Sequence, residues 1–239
     1  MRELNVAYDA KEFWNQRFKK HGHTGEVDRV LYEYDQPQRL RAINLVLRRA
    51  TIPLGPGTKI LDVGCGTGDL IESLLKRSGL DIAGIDVSDE TIDYAERRFS
   101  GRSDVRLLTK KLEDLDFPPN SFDLVFGINV LQHLTNAWAF SAAVENMVRV
   151  LRNGGYVLVM DFSPLKVKSR TPASYLIIRS RDEYVKAFEQ EGCSLVYECG
   201  LPRIGVRPCR NAQIRKHQVP SNSRKRNRNT RSHCDYYVQ

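Results

Sequence analysis

The chain of 239 residues is long enough for one α/β domain with a full hydrophobic core, and its apolar content of 41% is typical of a globular protein. No run approaches the roughly 18 apolar residues of a membrane-spanning helix, and the first residues lack an apolar stretch of signal-peptide type. The five cysteines are scattered without a C-x-x-C pair, so we expect neither a disulfide framework nor a metal site, and we predict a cytoplasmic protein.

The net charge of +8 is concentrated at one end of the chain. The segment from Arg203 to Gln239 holds ten Lys or Arg residues and one acid, so residues 1–202 hold 27 basic and 28 acidic residues. That segment is also poor in apolar residues, above all from Ser221 to Arg231. We therefore predict a basic, disordered tail over residues 203–239, and RNA or an acidic surface is the partner that such a tail would suit.

The first 55 residues are predicted to form a helical segment that precedes the core of the domain. Asp9 is placed to cap a first helix, with Glu12 three residues later completing a capping box. A second helix is predicted to begin at Gln36-Pro37, since proline is well tolerated in a first helical turn.

The stretch from Ile60 to Leu70 organises the rest of the chain. It begins with apolar residues, as a buried strand does, and continues with glycines at 64, 66 and 68. From Leu70 onward, apolar residues recur at the spacing of a helix. A strand, a glycine turn and a helix form half of a βαβ unit, and open α/β sheets bind ligands at such turns. The last glycine of a dinucleotide fingerprint is replaced by Asp69, and no Gly-Lys-Ser/Thr follows, which excludes both common phosphate-binding loops.

Strands and helices alternate after this turn, which predicts a parallel sheet with right-handed crossovers over a core of residues 56–202. Further strands are predicted over residues 81–86, 105–108, 122–127, 156–160 and 194–197. Ser88 and Ser180 are predicted to cap helices. We find no convincing seventh strand after Leu201-Pro202, because Ile204-Gly205-Val206 is short and Pro208 follows.

Asp62-x-Gly64-x-Gly66-x-Gly68 resembles motif I of the class I S-adenosylmethionine-dependent methyltransferases, and the likeness extends over about residues 58–162. It includes Asp86 at the end of the second strand and the run Asn129-Val130-Leu131-Gln132-His133-Leu134. The resemblance implies a Rossmann-like parallel sheet with helices on both faces and an N-terminal helical lid. It also implies S-adenosylmethionine as cofactor, S-adenosylhomocysteine as product, and in-line methyl transfer to an O, N or C atom.

The same resemblance assigns roles to individual residues. Asp62 would hold the methionine ammonium, Asp86 the ribose, and Asn129 would lie beside the methyl donor. Trp14 and Arg17, one turn apart on the first helix, would cover the cofactor, although packing and solvation explain them equally well. The remaining predicted cofactor-binding residues are Gly64, Cys65, Gly66 and Gly68 of the turn, Val87, and the adenine-edge pair Leu112 and Glu113.

Two positions leave the chemistry open. Many relatives place an acid just before the Leu112 position, whereas this chain has Lys110-Lys111, and lysine carries only hydrogen-bond donors. His133 follows the fourth predicted strand and could remove a proton from the acceptor, but a packing role is at least as good an explanation.

Three functions are compatible with the sequence. The first is a methyltransferase for a small-molecule acceptor, because the chain has little room for a separate macromolecule-binding domain. The second is an RNA or protein methyltransferase that uses the basic tail, and the third is a catalytically silent S-adenosylmethionine-binding protein. Neither the acceptor nor the oligomeric state follows from the sequence.

Overall fold

Six α-helices and one eight-stranded sheet form among residues 8–25, 29–163, 175–203, 206–216 and 234–236, which the computed structural model describes. The helices are α1 (Ala10–His21), α2 (Arg29–Arg49), α3 (Asp69–Leu74), α4 (Asp89–Arg98), α5 (Ala137–Val150) and α6 (Arg181–Gln190). The strands are β1 (Lys59–Val63), β2 (Asp81–Asp86), β3 (Val105–Thr109), β4 (Phe122–Ile128), β5 (Leu151–Met160), β6 (Cys193–Arg203), β7 (Val206–Lys216) and β8 (Cys234–Tyr236). A short 3-10 turn covers Leu131–His133.

The sheet has the strand order β3-β2-β1-β4-β5-β7-β6-β8. The first five strands in this order are parallel, so their carboxyl ends meet at one edge. The order reverses between β1 and β4, and this reversal opens a crevice between the loops that follow the two strands.

Both faces of the sheet are covered. One hydrophobic core packs α5 and α6 against the sheet, with Met147 and Phe188 fully buried. The other packs α2, α3 and α4 against the opposite face, with Ile43 and Ile71 at its centre. The predicted fold, a Rossmann-like sheet with helices on both faces and an N-terminal helical segment, is confirmed.

The prediction for the C-terminal segment is wrong over residues 206–216. These residues form β7, which pairs antiparallel with β5 on one side and with β6 on the other. Pro208 lies within β7, and the strand is held by pairing with β5 and with the immediately preceding β6 rather than by its own sequence pattern. The sheet therefore continues past residue 202, and β8 lies beyond it, whereas the predicted disorder from Ser221 to Arg231 falls outside the described residues.

The second helix begins seven residues before the predicted start. Pro37 lies inside α2 instead of in its first turn. The preceding turns are fixed by tertiary contacts, since the Tyr32 hydroxyl and the Gln36 amide both donate hydrogen bonds to the Asp69 carboxylate at the start of α3. These contacts offset the backbone hydrogen bond that proline removes.

The predicted helix caps are largely confirmed. Asp9 accepts a hydrogen bond from the Glu12 N–H, and Ser180 forms a reciprocal capping box with Glu183. Ser88 caps α4 by accepting from the Thr91 N–H. The capping box predicted for α1 is not confirmed, because the Glu12 carboxylate accepts a hydrogen bond from the Gln16 side chain.

Across the described part of the chain, no helix combines the length and apolar character needed to span a membrane.

Helix α1 is attached to α4 by one buried amide. Asn15, 9% exposed, donates to the Asp89 carboxylate at 2.6 Å and accepts from the Ser88 hydroxyl at 2.7 Å. Lys11 also reaches Asp89, through an ion pair of 2.8 Å between exposed side chains.

We expect Asn15→Ala to lower the free energy of unfolding by about 1–3 kcal/mol, because the buried Ser88 hydroxyl loses its acceptor. Lys11→Ala is the matched control, and its effect should be much smaller, since exposed ion pairs contribute little. Urea denaturation of both variants measures the difference. Equal losses would show that the buried amide does not dominate the attachment of α1.

Candidate functional site

A cavity of about 860 Å³ lies in the crevice at the carboxyl ends of β1, β2 and β4. Asp62, one residue before the end of β1, Asp86, the last residue of β2, and Asn129, directly after β4, line it. Trp14 of α1 and Arg39 of α2 line it as well. This volume suits a nucleoside-sized ligand together with a small second molecule.

The glycine turn after β1 brings bare backbone to the cavity. Gly64 and Gly66 line it with φ angles of 68° and 51°, a region that side-chain-bearing residues rarely adopt. A Cβ on Gly64 would lie 2.8 Å from the Val130 side chain, and one on Gly66 would lie 2.9 Å from the Thr24 hydroxyl. The turn therefore has room for a ligand against its backbone but none for a side chain.

Gly68 does not belong to the cavity lining, and its predicted contact with a cofactor stays a prediction. It precedes α3 with φ of 83°, and a Cβ there would lie 2.4 Å from the Phe99 ring. Its conformation and the close ring explain why glycine is required at this position.

Asp62 presents an unpartnered carboxylate oxygen inside the protein. The residue is 2% exposed, and its Oδ2 has no hydrogen-bond partner among the described residues. Burial, together with the nearby Asp86 carboxylate, raises the pKa of Asp62 from 3.8 to about 8. A buried acceptor at the edge of a cavity fits a cationic donor such as an ammonium group.

Asp86 is already engaged by the backbone. Its Oδ2 accepts from the Gly66 N–H and its Oδ1 from the Ser88 N–H, both at 2.9 Å. Burial raises the pKa of this carboxyl, and the two N–H groups oppose that shift by stabilising the charge. The residue thus ties the glycine turn to the start of α4, and each oxygen keeps a second lone pair for a ligand.

The predicted adenine side is built from the residues after β2 and β3. Val87, Leu112 and Glu113 line the cavity, and the carbonyls of Leu112 and Glu113 accept from the Asn146 amide at 3.2 and 2.9 Å. Lys111 also lines this side and is exposed.

Cys65 lines the cavity within the glycine turn and is 8% exposed. Burial raises the pKa of its thiol well above the usual range, so the side chain stays protonated. Cys65 therefore contributes shape to the site rather than a nucleophile.

Trp14 and Arg17 both line the cavity. The Arg17 guanidinium donates two hydrogen bonds to the Gly25 carbonyl, at 2.7 and 3.1 Å, and lies 5.6 Å from the Trp14 ring. It therefore fastens the loop after α1, a contact that the sequence did not predict.

Asn129 and His133 follow β4. Asn129 has a φ of 56° and donates its N–H to the Met160 carbonyl at 2.6 Å. The His133 Nδ1 lies 2.8 Å from the Tyr175 carbonyl and its Nε2 lies 3.3 Å from the Gln132 amide nitrogen. Burial lowers the pKa of His133 from 6.5 to about 4. The positive charge of Arg17 lowers this pKa further, whereas the hydrogen bond to the Tyr175 carbonyl raises it. The imidazole is thus neutral and bonded on both sides.

The structure brings all but one of the predicted site residues to a single cavity, the exception being Gly68. The sequence analysis missed Gln132, Phe162 and Tyr175, which also line it. Gln132 lies within the run from Asn129 to Leu134, which is part of the family resemblance, so the sequence could have indicated that it lines the site. Phe162 and Tyr175 follow β5 without any periodic pattern.

Comparison with known proteins supports a common origin for this region. The model of a family described as "Methyltransferase domain" matches residues 60–155. The chain is 31% identical to the O-methyltransferase rstn1 of Aspergillus nomiae over 137 residues, which are 54% of this chain and 60% of the relative. It is 30% identical to a ubiquinone biosynthesis O-methyltransferase of Neisseria meningitidis over 161 residues, 66% of this chain and 64% of the relative.

Solved structures show the same fold. The chain resembles a structure of the Haloferax volcanii Trm112 methyltransferase activator in complex with the putative methyltransferase. The TM-score is 0.63 at 19% identity, over 84% of this chain and 83% of that chain. The chain spans about 60% of the length of the first curated relatives that it matches.

Proposed function

We propose that the chain carries a methyltransferase domain of the class I S-adenosylmethionine-dependent family, and that this domain transfers a methyl group to a small organic acceptor. The observation that supports this most strongly is the unpartnered Asp62 oxygen beside the bare backbone of Gly64 and Gly66. That arrangement offers a buried carboxyl group and an open peptide surface to a ligand that carries both an ammonium group and an extended chain.

The residues present fit S-adenosylmethionine. Asp62 would hold the ammonium group, and the turn backbone would hold the methionine chain. Asp86 would accept from the ribose hydroxyls through its remaining lone pairs. Val87 and Leu112 would pack against the adenine. When bound, the sulfonium supplies an electrophilic methyl group.

The protein's own contribution is alignment and the exclusion of water. α1 and α2 cover the cavity, and Asn129 lies at the end of β4, beside the reversal in strand order. The proposed role of His133 as a proton acceptor is disfavoured by its geometry, because both ring nitrogens already have partners within 3.3 Å. We therefore assign His133 to the wall of the site.

A small acceptor is favoured because the cavity is partly enclosed and because the named relatives include O-methyltransferases. The RNA-binding role and the cytoplasmic location predicted from the sequence stay predictions. The basic tail should be tested by substitution and not by deletion from Arg203, since β7 and β8 are both part of the sheet.

Calorimetric titration with S-adenosylmethionine and S-adenosylhomocysteine tests the proposal. We expect micromolar binding of both, followed by release of S-adenosylhomocysteine when an acceptor is added. A well-folded protein that binds neither ligand at millimolar concentration would overturn the proposed function. Turnover that persists when the five basic residues from Ser221 to Arg231 are replaced by glutamine would support a small acceptor over RNA.

A further inference from the structure

One face of α2 carries large apolar side chains that are in contact with water. Val30, Leu31 and Tyr34 are each more than half exposed, and Leu45 is more than a third exposed. Ile43, on the other side of the helix, is buried in the core. A single exposed apolar side chain is common on a protein surface, so the arrangement of these four decides whether they form a binding surface.

These side chains lie along one edge of the helix together with two arginines. Val30, Tyr34, Arg41, Leu45 and Arg48 follow one another at separations of four, seven, four and three residues. With about 3.6 residues per turn and about 1.5 Å per residue, they fall within a sector of about 60° over a length of about 27 Å. This set is called the outer row below, and Leu31 lies beside it. A surface that is flat over this length can contact the whole row at once.

The second half of the outer row lies in a stretch without acidic residues. From Gln36 to Leu61 the sequence contains five Arg or Lys residues and no Asp or Glu. Arg41 and Arg48 are exposed, and neither forms an ion pair within the described part of the chain. Arg77, which follows α3, donates to the Asn44 side chain at 2.6 Å and adds a third guanidinium beside the row. The surface around this half of the row is therefore positively charged.

The two acids of α2 are paired within the helix. Glu33 forms an ion pair with Arg29 at 2.7 Å, and Asp35 forms one with Arg39. The helix contains five arginines and these two acids, so its net charge is +3. α2 therefore presents its exposed apolar side chains together with an excess of positive charge.

An apolar row on a positively charged helix suits the surface of an anionic bilayer better than other partners. Arginines are attracted to anionic headgroups, while apolar side chains enter the boundary between headgroups and acyl chains. A polynucleotide would gain little from Val30 and Leu31, because bases stack on flat rings and not on aliphatic chains. A second copy of this chain would bring two helices of net positive charge together, and like charges oppose that contact.

The helix that carries the outer row also forms a wall of the cavity. Tyr32, Gln36 and Arg39 line the cavity, whereas no residue of the outer row does so. A surface that contacts the outer row therefore leaves the cavity-facing side of α2 unobstructed.

We propose that α2 docks this protein on lipid bilayers that contain anionic lipids, with the outer row and Leu31 at the contact. The apolar side chains enter the headgroup boundary, and Arg41 and Arg48 lie at the level of the lipid phosphates. The proposal does not depend on the proposed function, because it concerns only the outer face of α2.

Co-sedimentation of the 239-residue chain with vesicles tests the proposal. A basic tail would bind anionic surfaces through charge alone, so the reference protein and every variant carry glutamine at the five basic positions between Ser221 and Arg231. The vesicles consist of phosphatidylcholine, either alone or with about 30% phosphatidylglycerol. We expect the reference protein to bind the anionic vesicles at least about tenfold more tightly than the neutral ones. No binding to the anionic vesicles would overturn the proposal.

Removal of the apolar side chains tests their contribution beyond charge. Leu31→Ser combined with Tyr34→Ser should weaken binding to the anionic vesicles by at least about tenfold, because less apolar area enters the boundary. Trp138→Ser is the matched control, since Trp138 is also more than half exposed but lies on α5, at the opposite face of the sheet. Its effect should be less than about twofold. Equal losses in the two variants would contradict docking through α2.

Charge reversal tests the arginines of the row. Arg41→Glu should weaken binding to the anionic vesicles by about tenfold and leave binding to the neutral ones unchanged. Arg97→Glu makes the same change at an exposed position of α4 that has no ion pair among the described residues, and its effect should stay below about threefold. If both reversals weaken binding equally, total charge and not the outer row determines binding, and the proposal is wrong.

Fluorescence quenching locates the contact. In a protein that also carries Trp138→Phe, Tyr34→Trp places a reporter in the outer row, while Trp14 stays in the cavity lining. Vesicles with brominated acyl chains should quench the added tryptophan and leave the emission of Trp14 alone unchanged. Bound protein without quenching of the added tryptophan would show that another surface touches the bilayer.

The same variants distinguish two other partners of the outer row. If Arg41→Glu loses binding to single-stranded polyuridylate while vesicle binding is unchanged, the row binds nucleic acid. If sedimentation velocity shows a dimer that dissociates in the Leu31→Ser and Tyr34→Ser variant, the row contacts a second copy of the chain. Either result would overturn docking on a bilayer.

Discussion

Asp62→Asn is expected to weaken S-adenosylmethionine binding by about 100-fold, because the ammonium group loses a buried charged partner. A hydrogen bond to a charged group contributes roughly 1.5–3 kcal/mol, and the Asp62 Oδ2 has no competing partner among the described residues. The side chains have nearly the same size, so the cavity keeps its shape. Calorimetry at pH 8 measures the loss.

The same substitution should stabilise the unliganded protein at high pH. Burial raises the pKa of Asp62 to about 8 in the folded state, against 3.8 in an exposed carboxyl. The folded state therefore holds a proton that the unfolded state releases, and the contribution of Asp62 to stability falls as the pH rises from about 4 through 8. Asn removes this penalty, so Asp62→Asn should unfold at a higher temperature than the unsubstituted protein at pH 8.5 and show little gain at pH 4.5.

Proton linkage provides a third readout of Asp62. Below pH 8 the unliganded carboxyl is largely protonated, so binding an ammonium group releases that proton. Affinity should therefore increase between pH 6 and pH 8, by at most about tenfold per pH unit, and this slope should vanish in Asp62→Asn. Unchanged affinity in Asp62→Asn, or a lower unfolding temperature at pH 8.5, would contradict the assignment.

The features that the sequence predicted correctly depend on short stretches of chain. Residues close together in the chain are enough to form the helix caps at Asp9, Ser88 and Ser180 and the glycine turn. Asp62 and Asp86 follow from the turn, because parallel strands deliver their last residues to one edge. The placement of most of the site was therefore predictable.

The features that the sequence did not predict depend on contacts with other segments of the chain. Strand β7 is held by β5 and β6, and nothing in its own pattern of basic and apolar residues distinguishes it from a tail. The early start of α2 depends on Asp69, which fixes Tyr32 and Gln36. The Phe162 N–H donates a hydrogen bond to the Gln132 side chain, and no local sequence pattern predicts this contact between residues 30 positions apart.

Asp86→Ala should remove S-adenosylmethionine binding and also destabilise the protein by about 2–4 kcal/mol. Both carboxylate oxygens accept from buried N–H groups, of Gly66 and Ser88, and each donor left unpaired costs about 1–3 kcal/mol. For a domain of this size we expect an unfolding temperature lower by about 10 °C. Asp86→Asn should lose about half as much, since its remaining oxygen still accepts from one N–H.

Loss of binding in Asp86→Ala would not by itself show a contact with the ribose, because the glycine turn loses its support at the same time. A double-mutant cycle separates the two effects. Adenosine and its 2′- and 3′-deoxy analogues are titrated into the unsubstituted protein and into folded Asp86→Asn. If Asp86 accepts from the ribose, each missing hydroxyl weakens binding by about tenfold in the first protein and by far less in the second. An equal loss in both proteins would restrict Asp86 to holding the turn, and the ribose would have to find its partner elsewhere in the cavity.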